Sequence, residues 1–329
     1  HPTLRRQRQM CIRDRLYKRG QGADMVFVFR HALLQETTYA GMLRGRRQRY
    51  HRQAAVALSE LHPNLADRNP EVLAYHWSEA GEFEHAYKFA VAAGEQALAR
   101  YANKEARVRF RDAIDAASRL DYGIRMEANA MIRLAQAPGD RESTQEDLED
   151  LAAIRSAVEE LSDGPLLASI DYCAGQLNYI LGDFESAIGH GTQSYERAET
   201  VSGGARVAAD AGNLLARIHA IQGAPRLAIR FARRNAAQMA ALDDKLEQAE
   251  ITSVLAFSYA VNGQFDQAIA AADEGLRLSG SVEHLPTKAA AYFHRGVVLG
   301  WRGEIEEAEP DFEQALALSH EANDPFRIY

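Results

Sequence analysis

Cysteine is scarce in this sequence, and long apolar runs are absent. Cys11 and Cys173 are the only two cysteines among 329 residues, which excludes a disulfide framework and a multi-cysteine metal site. No uncharged apolar run reaches the roughly 18 residues that a membrane-spanning helix needs. The start also lacks the charged, apolar and small segments of a signal peptide. We therefore expect a soluble, cytoplasmic protein with no membrane partner.

Catalytic signatures are missing as well. The sequence has no G-x-x-x-x-G-K-[ST] phosphate loop and no G-x-G-x-x-G turn after a strand. Although eleven histidines are present, there is no H-E-x-x-H motif, no pair of cysteines at zinc spacing and no G-x-S-x-G nucleophile elbow. We expect no catalytic residue, no cofactor and no metal in this chain.

Positive charge is concentrated at the start of the chain. Residues 1–52 carry 13 lysines and arginines and three acidic residues, whereas the other 277 residues carry 25 and 43. A basic arm on an acidic body raises nucleic acid as a partner. However, residues 1–15 show no helical or strand period and resemble translated adapter sequence, so we interpret them as a non-native leader. The second basic cluster, at 44–52, lies on a predicted helix. A solvated helix face explains it more simply than phosphate binding does, so nucleic acid is not the partner that we expect.

Two short β-favouring runs precede the helices. Leu16 to Arg19 and Asp24 to Phe29 flank a glycine-rich turn, which predicts a β-hairpin. Helices are predicted from His31 to about Met42 and from about Arg44 to Leu61. We expect the histidines of the helix faces, His51 and His76, to serve in packing. Helical spacing predicts an apolar face on the second helix, at Tyr50, Ala54, Ala57, Leu58 and Leu61.

From Pro70 onward a short phrase recurs: a glycine, a mostly polar stretch and an alanine five residues after the glycine. The key alanines are Ala86, Ala187, Ala228, Ala268 and Ala308, and the last four are 41, 40 and 40 residues apart. Small residues stand twelve positions before each of these four, at Gly175, Ala216, Ala256 and Gly296. The positions four and seven residues after each key alanine are also mostly small, and they hold Gly191, Ser194, Ala232, Asn235, Ala272, Gly275, Phe312 and Ala315.

Such a period indicates stacked helical hairpins. One hairpin cannot bury its apolar face alone, whereas stacked neighbours share a continuous core. The small residues let helix A of each pair approach helix B, and the glycine supplies the left-handed residue that ends helix A. This pattern resembles the tetratricopeptide repeat, with four units between about 164 and 329 and at least one more around Gly81. The resemblance implies an all-α fold, a right-handed superhelix of helical hairpins that follows the small β-hairpin.

The segment before the repeats resembles a part of signal-transduction ATPases of the STAND type. The resemblance rests on Phe27 to Glu36, Tyr39, Arg46, Arg47, His51, Pro70 to Trp77 and Glu79 to Gly81. In that family this part follows the ATPase core, closes a winged-helix domain with its β-wing and leads into a tetratricopeptide array. Such modules occur in bacterial proteins with an adenylate or guanylate cyclase domain and in ATP-dependent transcriptional activators. The phrases Phe-Arg-His-Ala-Leu and Glu-Ala-Gly favour the cyclase-linked group.

The two resemblances together imply a fragment of a larger protein. After the leader, residues 16–62 would be the end of a winged-helix region with connecting helices, and 63–121 the first helical repeats. Residues 122–163 would be an irregular helical hairpin, and 164–329 four repeats of period about 40. The expected function is a non-catalytic sensor or protein-interaction module, with the upstream ATPase domain as a partner. The alternatives are the C-terminal regulatory part of an adenylate or guanylate cyclase, or of an ATP-dependent transcriptional regulator.

The groove of the array is the functional surface that the resemblance offers, because helix A lines the concave face in tetratricopeptide proteins. The partner that we expect there is a protein, a peptide or a small effector. The competing interpretation is that several of these side chains pack between repeats. Counting three before and one, four and five after the small residue of helix A selects Tyr172, Gln176, Tyr179, Asn213, Arg217, Ser253, Phe257, Phe293 and Trp301.

Overall fold

The computed structural model describes residues 16–19, 26–29, 32–61, 63–241 and 243–322. The leader expected at 1–15 lies outside this part of the chain. Strand β1 (Leu16–Arg19) pairs with strand β2 (Val26–Phe29) in antiparallel register. The interpretation of these strands as the wing of a winged helix stays a prediction. All other regular elements of the described chain are helices, and the chain divides into two compact units, residues 1–86 and 87–329.

Four helices belong to the first unit. Helix α2 lies along α4, and the short helix α3 contacts both. Their bounds are α1 (Ala32–Ala40), α2 (Arg44–Leu61), α3 (Pro63–Arg68) and α4 (Pro70–Ala80).

The apolar face predicted for α2 is wrong by about one residue. Tyr50 and Leu61 are 53% and 72% exposed, whereas His51 and Ala55 are buried. The physical reason is the partner helix: α4 presents the ring of Tyr75, which meets His51 edge-on at 5.4 Å between ring centroids. Ring contacts therefore determine which side of α2 is covered, rather than the spacing of its aliphatic residues.

Helices in hairpins make up the second unit. Helix α5 spans its boundary, three helices follow, and four regular hairpins come last. No helix among the described residues is long and apolar enough to cross a membrane. The bounds are α5 (Phe83–Ala99), α6 (Asn103–Ala117), α7 (Ile124–Gln136), α8 (Arg141–Glu160), α9 (Gly164–Leu181), α10 (Phe184–Thr200), α11 (Ala205–Ile221), α12 (Pro225–Ala241), α13 (Lys245–Val261), α14 (Phe265–Gly280), α15 (Leu285–Arg302) and α16 (Ile305–Glu321).

The turn glycines behave as the repeat pattern predicts. Gly182, Gly223, Gly263 and Gly303 have φ values of 86°, 78°, 74° and 95°, in the left-handed region. An L side chain is strained in that region, whereas glycine adopts it freely and so ends helix A cleanly. The predicted boundary between helix A and helix B is confirmed in each of the four hairpins.

The small residues of helices A and B face each other across each hairpin. A Cβ atom added to Gly175 would lie 3.2 Å from the backbone nitrogen of Gly191. In the last hairpin the helix B residue is Phe312, and the helix A residue that faces it is a glycine. A Cβ atom on Gly296 would lie 3.0 Å from the ring of Phe312. The close approach predicted from the sequence is confirmed.

The same pairing occurs between Gly94 of α5 and Phe110 of α6, and it gives a stability prediction. A Cβ atom on Gly94 would lie 2.4 Å from the Phe110 ring, which is fully buried. We expect Gly94→Ala to lower the free energy of unfolding by about 1–3 kcal/mol. Gly189→Ala is the matched control, because nothing lies within 4 Å of that site on α10. It should stabilise the protein by about 0.5–1 kcal/mol. Urea unfolding measures both, and equal effects would contradict the pairing.

Helices α9, α11, α13 and α15 form one continuous layer, which we call the A layer. Each contacts the next member directly, and each also contacts helix B of its own hairpin. Helices α10, α12 and α14 each contact the A helix that follows. The apolar cores lie between these helices, for example around Ala216, Met239 and Ile251. The A layer therefore presents a single surface built from all four repeats.

A buried ion pair joins the helices that precede the regular hairpins. Arg107 of α6 donates to both carboxylate oxygens of Asp147 of α8, at 2.8 and 2.9 Å. The same guanidinium donates to the backbone oxygens of Leu134 and Ala137, at the end of α7. Arg107 and Asp147 are only 6% and 3% exposed. One arginine thus connects three helices in a place that water does not reach.

Candidate functional site

Arg217 and Tyr179 meet on the A layer, on neighbouring helices. The guanidinium carbon of Arg217 on α11 lies 5.6 Å from the ring centroid of Tyr179 on α9. A cation over an aromatic face is held electrostatically. Nε of Arg217 is buried and has no hydrogen-bond partner. The ring therefore helps to hold the guanidinium in place on the A layer.

Gln176 and Tyr172 also belong together. Nε2 of Gln176 donates to the hydroxyl oxygen of Tyr172 at 2.6 Å. The ring of Tyr172 is partly buried and packs against the apolar clusters beside α9. Only part of this predicted pair is therefore open to a partner.

A cluster of aromatic side chains lies on α13 and α15, the last two helices of the A layer. The ring of Phe257 on α13 lies 5.6 Å from that of Trp301 on α15 and 5.9 Å from that of His294. Trp301 is 52% exposed. Phe293 is 48% exposed, and its ring packs at 6.0 Å from that of Phe312 on α16. Large half-exposed rings side by side form an apolar contact surface.

Two predicted groove residues are not on the surface, which corrects their expected placement. Asn213 and Ser253 are 4% and 2% exposed. Ser253 donates to the backbone oxygen of Ala249, and a Cβ atom on Gly275 of α14 would lie 2.9 Å from its Oγ. The reason is helical geometry. A residue three positions before the small residue is about 60° away from it around the helix. A short side chain there is covered, whereas the larger Phe293 at the same position of the last repeat reaches the surface.

An acidic cluster on the A layer was not predicted. Arg206 of α11 contacts Asp210 on its own helix and Asp244 and Glu247 beside or on α13, at 3.2, 2.5 and 2.8 Å. Glu250 accepts from Oγ1 of Thr287 on α15 at 2.7 Å. Three of the four carboxylates in this cluster therefore pair with one arginine, and Glu250 does not. A sequence signal existed, because Asp210 and Glu250 stand seven residues, two helical turns, before Arg217 and Phe257.

Burial raises the pKa of two carboxyl groups in this cluster. Desolvation, with a smaller contribution from the neighbouring carboxylates Asp210 and Glu250, raises the pKa of Glu247 to about 8. Desolvation also raises the pKa of Asp210, to about 6. Asp210 and Asp244 keep part of their side chains exposed, so the excess of acidic groups is favourable for a cationic group of a partner.

The raised pKa of Glu247 predicts a pH dependence of stability. The folded state binds the proton more tightly than the unfolded chain, so stability falls as the pH rises from the ordinary carboxyl range, near 4.5, to about 8. Glu247→Gln removes this term. The variant should be more stable than the wild type by about 1 kcal/mol or more at pH 8, and the gain should vanish near pH 5. Urea unfolding at both pH values checks it, with the exposed Glu185→Gln as control. A gain of equal size at both would contradict the assignment.

The surface is suited to non-covalent binding. It combines half-exposed rings, one guanidinium held on a tyrosine and an excess of carboxylates. Among the described residues, no group of three or more histidine, cysteine, aspartate or glutamate side chains is placed to hold a metal ion. Cys173 is buried, and burial raises the pKa of its thiol to about 12.

Comparisons with known proteins identify the fold of this chain but not a sequence family. No protein-family model matches the chain. An uncharacterised protein of Rhizobium meliloti is 34% identical over 106 residues, which are 32% of this chain and 10% of that protein. The chain thus spans about a tenth of the length of this curated relative.

Solved structures share the helical-repeat architecture. A Rap protein complexed with competence and sporulation factor matches 72% of this chain and 67% of its own, with 17% identity and a TM-score of 0.55. BtubC from P. vanneervenii matches 68% and 92%, with 16% identity and a TM-score of 0.54. A STAND protein with a tetratricopeptide repeat sensor, from Pyrococcus horikoshii, matches 86% and 48%, with 12% identity and a TM-score of 0.51. The chain has the all-helical fold of tetratricopeptide-type repeat proteins.

Proposed function

We propose that this chain is a non-catalytic sensor and protein-interaction module that binds its partner on the A layer. The observation that carries the proposal is the half-exposed Trp301, which packs on Phe257 in the same layer as the acidic cluster. An exposed aromatic patch on a soluble repeat protein marks an interaction surface. The partner is a protein, a peptide or a small effector, with an apolar part for the rings and a cationic part for the carboxylates.

The similarity to the Rap structure supports a peptide as the partner. That protein is complexed with competence and sporulation factor and has the same fold over 72% of this chain. An extended peptide also suits the A layer physically, because four stacked helices offer a long surface rather than an enclosed cavity.

We propose further that the parent protein is a STAND-type ATPase in the bacterial cytoplasm, and that an adenylate or guanylate cyclase domain is linked to it. The motif between Phe27 and Gly81 and the fold of the STAND protein with a tetratricopeptide repeat sensor support this context. In that setting, partner binding would bias the ATPase between two states. The complete reading frame tests it. An upstream G-x-x-x-x-G-K-[ST] motif is expected, and a frame without one would contradict the proposal.

The binding proposal itself is tested by selection from a peptide library. A random peptide library displayed on phage is selected against the whole chain, and enriched peptides are synthesised and titrated by fluorescence polarisation. We expect peptides that combine an aromatic residue with lysine or arginine. Enrichment of acidic peptides, or no saturable binding by any enriched peptide, would contradict the proposed surface.

A further inference from the structure

Four side chains of the first unit form a continuous hydrogen-bond chain that the proposed function does not use. The hydroxyl of Tyr39 on α1 donates to Oε2 of Glu79 on α4 at 2.8 Å. The same hydroxyl lies 3.0 Å from Nε2 of His51 on α2. Nδ1 of His51 lies 2.9 Å from Nδ1 of His76 on α4. We call these four residues the clasp. His51, at its centre, is 8% exposed, whereas the bond between Tyr39 and Glu79 at one end is open to solvent.

The direction of every bond in the clasp follows from its carboxylate end. An ionised carboxylate can only accept, so the hydroxyl of Tyr39 donates to Glu79 and accepts from Nε2–H of His51. Neutral His51 then has a bare Nδ1, and Nδ1–H of His76 donates to it. Both imidazoles are neutral in this arrangement, and each contact has one hydrogen. Burial and the nearby His51 lower the pKa of His76, which favours that neutral state.

We propose that the clasp is a pH-sensitive contact between helices. It holds α1 and α2 against α4 while its two histidines together carry no more than one proton beyond their neutral state. It opens when the pair binds a second extra proton. One extra proton fits on either imidazole, because a single hydrogen still lies between the two Nδ1 atoms. A second extra proton puts two N–H groups head to head across 2.9 Å and two cations side by side.

The size of the effect follows from proton counting. In the unfolded chain the two histidines are apart, so both can be protonated near pH 6.5. The folded clasp excludes at least one of those protons, so the stabilisation is complete above about pH 6.5 and is lost as the pH falls. For each proton that the folded clasp excludes, the equilibrium constant for opening rises about tenfold for every unit by which the pH falls below about 6.5.

The other charged and titratable groups near the clasp either add positive charge, pack on its rings or are exposed. Arg47 of α2 lies over the ring of Tyr39, 5.2 Å from its centroid, and adds positive charge. Tyr75 of α4 packs on both imidazoles. Arg52 of α2 pairs with Glu82, which follows α4, at 3.4 Å. The charged residues of the adjoining α3, Asp67 and Arg68, are exposed, and so is Glu36 of α1.

The test is hydrogen–deuterium exchange of the full chain at about pH 7.5, 6.5 and 5.5, with labelling times scaled to the intrinsic exchange rate. Peptides covering α1 and α2 report the opening of the clasp. In the wild type we expect about a tenfold rise in opening between pH 6.5 and 5.5. In His76→Asn we expect less than about a twofold change, because the amide can rotate to donate to His51 or accept from it. His320→Asn, at an exposed histidine of α16, is the matched control and should behave as the wild type.

Either of two hydrogen–deuterium exchange results would overturn the proposal. One is unchanged protection of α1 and α2 in the wild type across this pH range. The other is a rise in His76→Asn as large as in the wild type. Nitrogen-15 NMR of the wild-type imidazoles gives an answer even if the variant does not fold. We expect the Nε2–H tautomer for His51 and the Nδ1–H tautomer for His76 at pH 8, and the reverse pair would contradict the clasp.

Discussion

Asp147→Ala is expected to lower the free energy of unfolding by about 3–5 kcal/mol. The variant leaves the guanidinium of Arg107 charged and 6% exposed, with the backbone oxygens of Leu134 and Ala137 as its remaining partners. A buried cation without its carboxylate costs far more than the pair contributes when both members are present. Urea unfolding followed by circular dichroism measures the loss.

The neighbouring residue provides the matched control. Glu146 of the same helix pairs with Arg111 at 3.3 Å, but both side chains are at least half exposed. An exposed pair is screened by water, so Glu146→Ala should change the free energy of unfolding by less than about 1 kcal/mol. Similar losses in the two variants would mean that burial does not distinguish the pairs, and the description of Arg107 as the connection between three helices would fail.

Trp301→Ala is expected to weaken binding of a selected peptide about 30-fold or more, which corresponds to about 2 kcal/mol. Trp301 is half exposed and supported by Phe257, so it offers a large rigid ring at the centre of the aromatic end. Tryptophan is enriched among residues that dominate binding energy. Because so much of the ring is exposed, its removal should change stability little.

Leu316→Ala is the control for this second prediction. Leu316 lies on α16 of the same hairpin, is 45% exposed and belongs to the B helix rather than the A layer. Fluorescence polarisation titrations of both variants with the same peptide should give a large loss for Trp301→Ala and less than about a twofold change for Leu316→Ala. A loss confined to Leu316→Ala would move the binding surface off the A layer.

Much of the hairpin architecture could be predicted from the sequence because its constraints are local. A turn glycine five residues before an alanine requires a left-handed φ, and Gly182 and Gly303 have it. The positions predicted to meet across a hairpin do meet, at Gly175 and Gly191 and again at Gly296 and Phe312. The key alanines and turn glycines, which recur about every 40 residues, have the same backbone role in each hairpin.

The site was harder to predict because its contacts depend on angles and on several helices at once. The counting rule that selected Asn213 and Ser253 did not account for side-chain length, and both of these short side chains are buried. The acidic cluster depends on ion pairs that cross from α11 to α13, and the sequence does not show which carboxylate meets Arg206. His51 and His76 were each expected to serve only in packing, and nothing in one sequence indicates that their Nδ1 atoms lie within 2.9 Å.

Photo-crosslinking tests the central claim, that the partner binds on the A layer, most directly. A selected peptide carries a photoreactive group beside its aromatic residue, and mass spectrometry locates the crosslinks on the wild-type chain. We expect crosslinks in the half of α13 and α15 that contains Phe257 and Trp301, with competition by unlabelled peptide. Saturable crosslinks confined to α10, α12, α14 or α16 would contradict the account.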